Sequence, residues 1–102
     1  MKFQLVLQWP TSPATDFDDF IEMESELLDH LDESELVDGH DMGSGQMNIF
    51  ISTDEPHETL QRAQEILGDF KIWPEVRVAY RDTAGGEYTI MWPADLEHFS
   101  VS

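Results

Sequence analysis

Phe3, Leu5, Leu7 and Trp9 alternate with Gln4, Val6 and Gln8, and a period of two predicts a half-buried strand. Pro10 and Pro13 close it and open a loop. Phe17, Phe20, Ile21, Leu27, Leu28 and Leu31 then fall three and four apart, which predicts an amphipathic helix over residues 16–31 capped by Thr15 or Asp16. Leu36 to Asp41 reads as a second strand and Gly43-Ser44-Gly45 as a turn. Met47, Ile49 and Ile51 alternate with Asn48, Phe50 and Ser52 in a third strand. Asp54 or Glu55 should cap a second helix with Pro56 in its first turn. That helix buries Leu60, Ala63, Ile66 and Leu67 and stops at Gly68. Val76, Val78 and Tyr80 mark a fourth strand. The turn Thr83-Ala84-Gly85-Gly86 leads into Tyr88, Ile90 and Trp92 of a fifth, which Pro93 closes.

The order is β-α-β, β-α-β and one further strand. It predicts an α+β fold: a ferredoxin-like split βαβ sandwich, with an antiparallel sheet of four to five strands and two helices on one face. At 102 residues the chain reads as a single domain, 1–102, with an ordered core over about 2–93 and a short carboxyl-terminal tail or helical turn. Apolar residues make up 40% of it, including three Trp and six Phe, enough bulky material for one core. There is no cysteine, which excludes disulfides and thiolate zinc sites and fits a reducing compartment. The opening MKFQLVLQWP lacks the pattern of a signal peptide, and no window approaches the roughly 20 apolar residues of a membrane span. A soluble, cytoplasmic protein is expected.

Charge changes the picture most. Five Lys and Arg face 22 Asp and Glu, a net of −17. Residues 1–61 hold one base, Lys2, and no other Lys or Arg precedes Arg62. Nucleic acid and anionic membrane each require a basic footprint, so neither is an expected partner. A basic protein is, because an acidic surface steers encounter with a positive one.

The stretch VDGHDMGSGQMNIFI holds Asp38, His40 and Asp41 ahead of two glycines. A calcium loop would place a bidentate Glu twelve positions in, where this chain has Ile49. A zinc or iron site would require further imidazoles, and His30 and His57 belong to other predicted elements. Ser44 stands in Gly-Ser-Gly at a strand-to-strand turn, not in the Gly-x-Ser-x-Gly strand-to-helix turn of a nucleophile elbow. Strand alternation puts Asp38 and His40 on one face, which leaves His40 as a candidate base. The simpler reading is a hairpin whose glycines allow positive φ. No metal, cofactor or catalytic residue is expected from it.

In the first helix, Asp18, Glu22 and Glu26 stand four apart, with Asp19 and Asp29 on much the same outer face. Like charges at this spacing cost an isolated helix roughly 0.2–0.5 kcal/mol per pair. Asp29, Asp32, Glu33 and Glu35 crowd its negative end, where bases are preferred. The features fit either a docking face for a basic partner or a solvated face in an acidic protein. On the other side of the sheet, Gln4, Val6, Gln8, Asn48, Phe50, Arg77, Ala79, Arg81 and Met91 should form an open surface. Of these, Phe50, Arg77, Arg81 and Met91 are candidates for a ligand face or a homodimer contact.

Asp38-Gly39-His40-Asp41, Gly43-Ser44-Gly45 and Asn48-Ile49-Phe50-Ile51, followed by Thr53-Asp54 and a Pro56-started helix, resemble small bacterial proteins of about this length. The resemblance runs from the first strand to Trp92. It implies a cytosolic protein with a ferredoxin-like sandwich and transfers no catalytic residues. In size and charge alone the chain is also similar to acidic immunity proteins. The expectation is a non-enzymatic acidic binding module, an inhibitor or immunity-type partner of a basic protein, acting through Asp18, Glu22, Glu26, Asp29, Asp38 and Asp41. The alternatives are a small ligand-binding regulator or enzyme using the sheet face, and a structural homodimer.

Overall fold

The computed structural model describes residues 2–10, 17–31, 35–43 and 45–101. The strands are β1 (Phe3–Pro10), β2 (Glu35–Gly43), β3 (Gln46–Thr53), β4 (Arg77–Asp82) and β5 (Gly85–Trp92); the helices are α1 (Phe17–His30) and α2 (Pro56–Leu67). A short 3-10 turn, Trp73–Glu75, precedes β4. The strands form one antiparallel sheet in the order β2-β3-β1-β4-β5. β1 and β2 therefore run parallel with β3 between them, and β3 and β4 run parallel with β1 between them. Each β-α-β unit is split by a strand of the other. The expected α+β class, five antiparallel strands with two helices, is the one found. Thr15, Asp16, Asp32, Glu33, Ser44 and the Phe17 side chain lie outside the described residues.

Leu5, Leu7 and Trp9 of β1, Met47, Ile49 and Ile51 of β3 and Val78 of β4 share the face that packs against both helices. Alternation on paired strands puts all of them on one side, and burying each such side chain contributes about 1.5–3 kcal/mol. The Trp9 ring meets Phe20 and Trp73 edge-on, and its Nε1 donates to the Ile72 carbonyl at 3.0 Å. On α1 the buried residues are Phe20, Met23 and Leu27, whereas Ile21 and Leu28 are 37% and 59% exposed. The reason is angular: 20, 23, 27 and 31 follow one line, while 21 and 28 lie about a quarter turn away. At the start of α2 the expected side-chain cap is absent. Glu55 takes the cap position with its backbone alone, and the Thr53 hydroxyl accepts from the Glu55 amide and the Thr59 hydroxyl. Asp54 instead accepts from the Lys2 amide at 2.7 Å, pinning the start of β1. Gly68 closes α2 in a right-handed conformation, where a Cβ would meet the Gln64 carbonyl oxygen at 2.6 Å.

Register shifts in β2–β3 and β4–β5 alter the expected alternation. Val37 pairs with Ile51 and Gly39 with Phe50, so Asp38 is the extra residue. Gly39 there has φ +131, a conformation L side chains rarely adopt. On β5, Trp92 pairs with Val78 but Ile90 pairs with Ala79, leaving Met91 as the extra residue. Tyr88, Ile90 and Trp92 thus do not share a face. Met91, expected on the open face, packs against the helix-side core.

Candidate functional site

The helix side carries the acidic surface. Asp18, Glu22 and Asp29 of α1 are exposed, and Glu26 is half-buried. A quarter turn round the helix, exposed Ile21 and Leu28 flank them. Lys71 Nζ lies 3.8 Å from Oδ2 of Asp19, which is on the same helix as these acids. His30 Nε2 lies 3.2 Å from Glu26 across one helical turn. Glu35, grouped by sequence with the acids at the helix end, belongs elsewhere. Its side chain is 1% exposed and Arg62 Nη1 stands 2.6 Å from it, with Glu58 at 3.7 Å from the same guanidinium. Spacing gave no sign of that pair, because Glu35 and Arg62 meet only once β2 and α2 pack.

The bulge in β2 separates the hairpin residues. His40 sits opposite Ile49 on the helix side, where Nδ1 lies 2.8 Å from Glu24 Oε2 and the ring meets Phe20 edge-on at 5.7 Å. Asp38 accepts from the Ser52 hydroxyl, and Asp41 sits opposite Asn48, both on the other side of the sheet. The expectation that Asp38 and His40 share a face is therefore corrected, and His40 does not stand over Arg77 and Arg81. Asp38 and Asp41 do not join the α1 acids in one patch. Among the described residues, no group of three or more His, Asp and Glu converges as metal ligands.

The second face was expected to be open. In the structure Val6, Gln8, Asn48 and Ala79 on that face are all nearly or fully buried. Gln8 Nε2 donates to Asn48 Oδ1 at 3.0 Å and to the Ser100 carbonyl at 2.9 Å, and Gln46 Nε2 reaches the same carbonyl at 3.2 Å. Phe99 packs on Tyr88 with ring centroids 5.0 Å apart. Residues 94–101 thus cross from the β5 edge over the sheet. The sequence predicts a short tail or helical turn here and gives no sign of the crossing, because the residues concerned have no regular period. Of the candidate ligand residues, Arg81 donates to Gln4 at 3.4 Å and stacks over Tyr88 at 4.8 Å. Arg77 is exposed opposite Gln8, and Phe50 is half-buried opposite Val6.

An apolar cleft of about 250 Å³ opens between α2 and the end of β5, lined by Leu60, Gln64, Trp73, Pro74, Val78 and Trp92. Trp92 is 53% exposed at its edge. No described helix is long and apolar enough to cross a membrane. Comparison of the chain with protein-family models, curated proteins and solved structures finds no match.

Proposed function

We propose that the protein is a non-enzymatic acidic binding module, an inhibitor or immunity-type partner of a basic protein, and that the outer face of α1 is its docking surface. The observation that carries this reading is the composition of that face. Exposed Asp18, Glu22 and Asp29 stand beside exposed Ile21 and Leu28, so long-range charge and a contact that excludes water are available together. The acids steer a basic surface inward and form charge-assisted hydrogen bonds with its Arg and Lys. Ile21 and Leu28 supply apolar area at the contact. Asp38 and Asp41 contribute to the overall negative field rather than to direct contact, since they lie across the sheet.

The test compares wild type with a Glu22→Lys, Glu26→Lys, Asp29→Lys variant in pull-downs at low and moderate salt, after both are shown to fold. The expected result is one basic protein retained by wild type, lost by the variant and released as salt rises. The purified partner's own activity should then fall on stoichiometric addition of wild type only. Retention that ignores both salt and charge reversal would overturn the reading, because exposed charge contacts are screened within about 10 Å at 0.1 M salt.

A further inference from the structure

The face of the sheet opposite the helices has the features of a receptor for an extended segment, and residues 94–101 show what it accepts. The segment adds no strand to the sheet. It is held by side chains of the face: two glutamine amides converge on the Ser100 carbonyl, and Tyr88 takes the Phe99 ring. Leu96, Phe99 and Val101 are half-buried, while Asp95, Glu97 and His98 between them are exposed. The face supplies Arg77 and Arg81, opposite in sign to Asp95 and Glu97. The described hydrogen bonds and ring contact depend on side chains of the face, so the segment can leave without dismantling any strand pairing. Its departure would strip the Ser100 carbonyl from the Gln8 and Gln46 amides, on the face that also holds apolar Val6 and Ala79. A vacated face of that chemistry draws in another segment of the same pattern.

We propose that this face is a peptide-receptor surface closed in cis by residues 94–101, and that the occupant it takes in exchange is the same segment of a second copy of the chain. Reciprocal exchange reproduces every contact without new chemistry, which is the economy of domain swapping. The interaction is independent of the acidic α1 face, which lies across the sheet.

The experiment uses the full chain carrying Phe99→Ala, which loosens the segment and leaves the receptor residues intact. The probe is a fluorescent peptide of residues 94–101, which presents the second copy's segment. Saturable anisotropy change is expected with the Phe99→Ala protein. Binding should be about tenfold or more weaker with wild type, whose own segment competes for the site. A peptide carrying the same Phe99→Ala change should not bind. The absence of saturable binding to folded Phe99→Ala protein would overturn the proposal, as would equal binding by the two proteins. Loss of folding in the Phe99→Ala protein would overturn it too, since the segment would then be an integral part of the core.

Discussion

Leu7 and Val6 are neighbours on the central strand and both are fully buried, yet different structures lie over them. Leu7 lies under α1 and α2, among Trp9, Phe20, Met23 and Leu27. Val6 lies on the face crossed by residues 94–101, a segment whose Ser100 carbonyl and Phe99 ring are held by side chains of that face. The helix side is a layer of long amphipathic elements whose apolar stripes interlock. The other side is a polar-edged sheet surface closed by an irregular strap. Burial alone does not separate them; the number and rigidity of the covering elements do.

The largest expected effect tests that contrast directly. Leu7→Ala should destabilise by about 2–5 kcal/mol, since a rigid helical layer cannot collapse into the space. Val6→Ala should cost clearly less than Leu7→Ala, because fewer atoms are removed and the strap can settle. Equal losses in denaturant unfolding would mean that the strap is as rigid as the helices, and the contrast would be lost.

Arg62→Ala comes next, at the margin of the helix side. It leaves the Glu35 carboxylate, 1% exposed, without the guanidinium 2.6 Å away. Breaking such a pair costs about 3 kcal/mol, toward the low end of the range for buried pairs because Arg62 itself is 38% exposed. Adding Glu35→Gln to Arg62→Ala should recover part of the loss, since the unpaired charge is then gone. An additive double variant would show that the cost came from packing of the Arg62 stem instead.

Gly39→Ala has a smaller effect and bears on which face each β2 residue joins. At φ +131 a Cβ is strained even with open space around it, which costs about 1–3 kcal/mol. If the bulge is retained, His40 keeps its contacts with Glu24 and Phe20, and stability alone falls. If it is expelled, His40 moves to the strap side, and the loss of its nuclear Overhauser contacts with Phe20 would report the slip.

The helix side was legible in the sequence because its information is periodic and local. Residues 3–9, 47–51 and the 20–27–31 line each declare an inward face within a few positions. The strap side was not, for two physical reasons. Gln4 and Gln8 have the composition of a solvated face, and Gln8 is buried only because Asn48 and Ser100, 40 and 92 residues away, satisfy its amide. Leu96, Phe99 and Val101 follow neither a helical nor a strand period, so no element could be drawn for them. The bulges were hidden in the same way. A single glycine at position 39 was the local trace of one, and Met91 carried no trace at all. Of the candidate site, the α1 acids were readable from their spacing. That Ile21 and Leu28 stand exposed beside them was not, since the three- and four-residue spacing assigns both to the buried stripe.

Those two residues give the smallest expected change in stability and the sharpest use of it. Leu28 is 59% exposed and takes no part in the core cluster, so Leu28→Ser should alter unfolding free energy by no more than about 0.5 kcal/mol. A solvated face would show nothing else. A docking face would show a second effect: weaker capture of the basic partner, expressed mainly as faster dissociation with the salt dependence unchanged, because apolar area is lost and no charge is altered. Glu22→Lys should do the reverse, slowing association and flattening the salt dependence. Measuring both rates for both variants separates apolar contact from steering on one helix. If Leu28→Ser leaves dissociation untouched while Glu22→Lys still slows association, the acids steer the partner toward a contact elsewhere, and α1 is the approach rather than the interface.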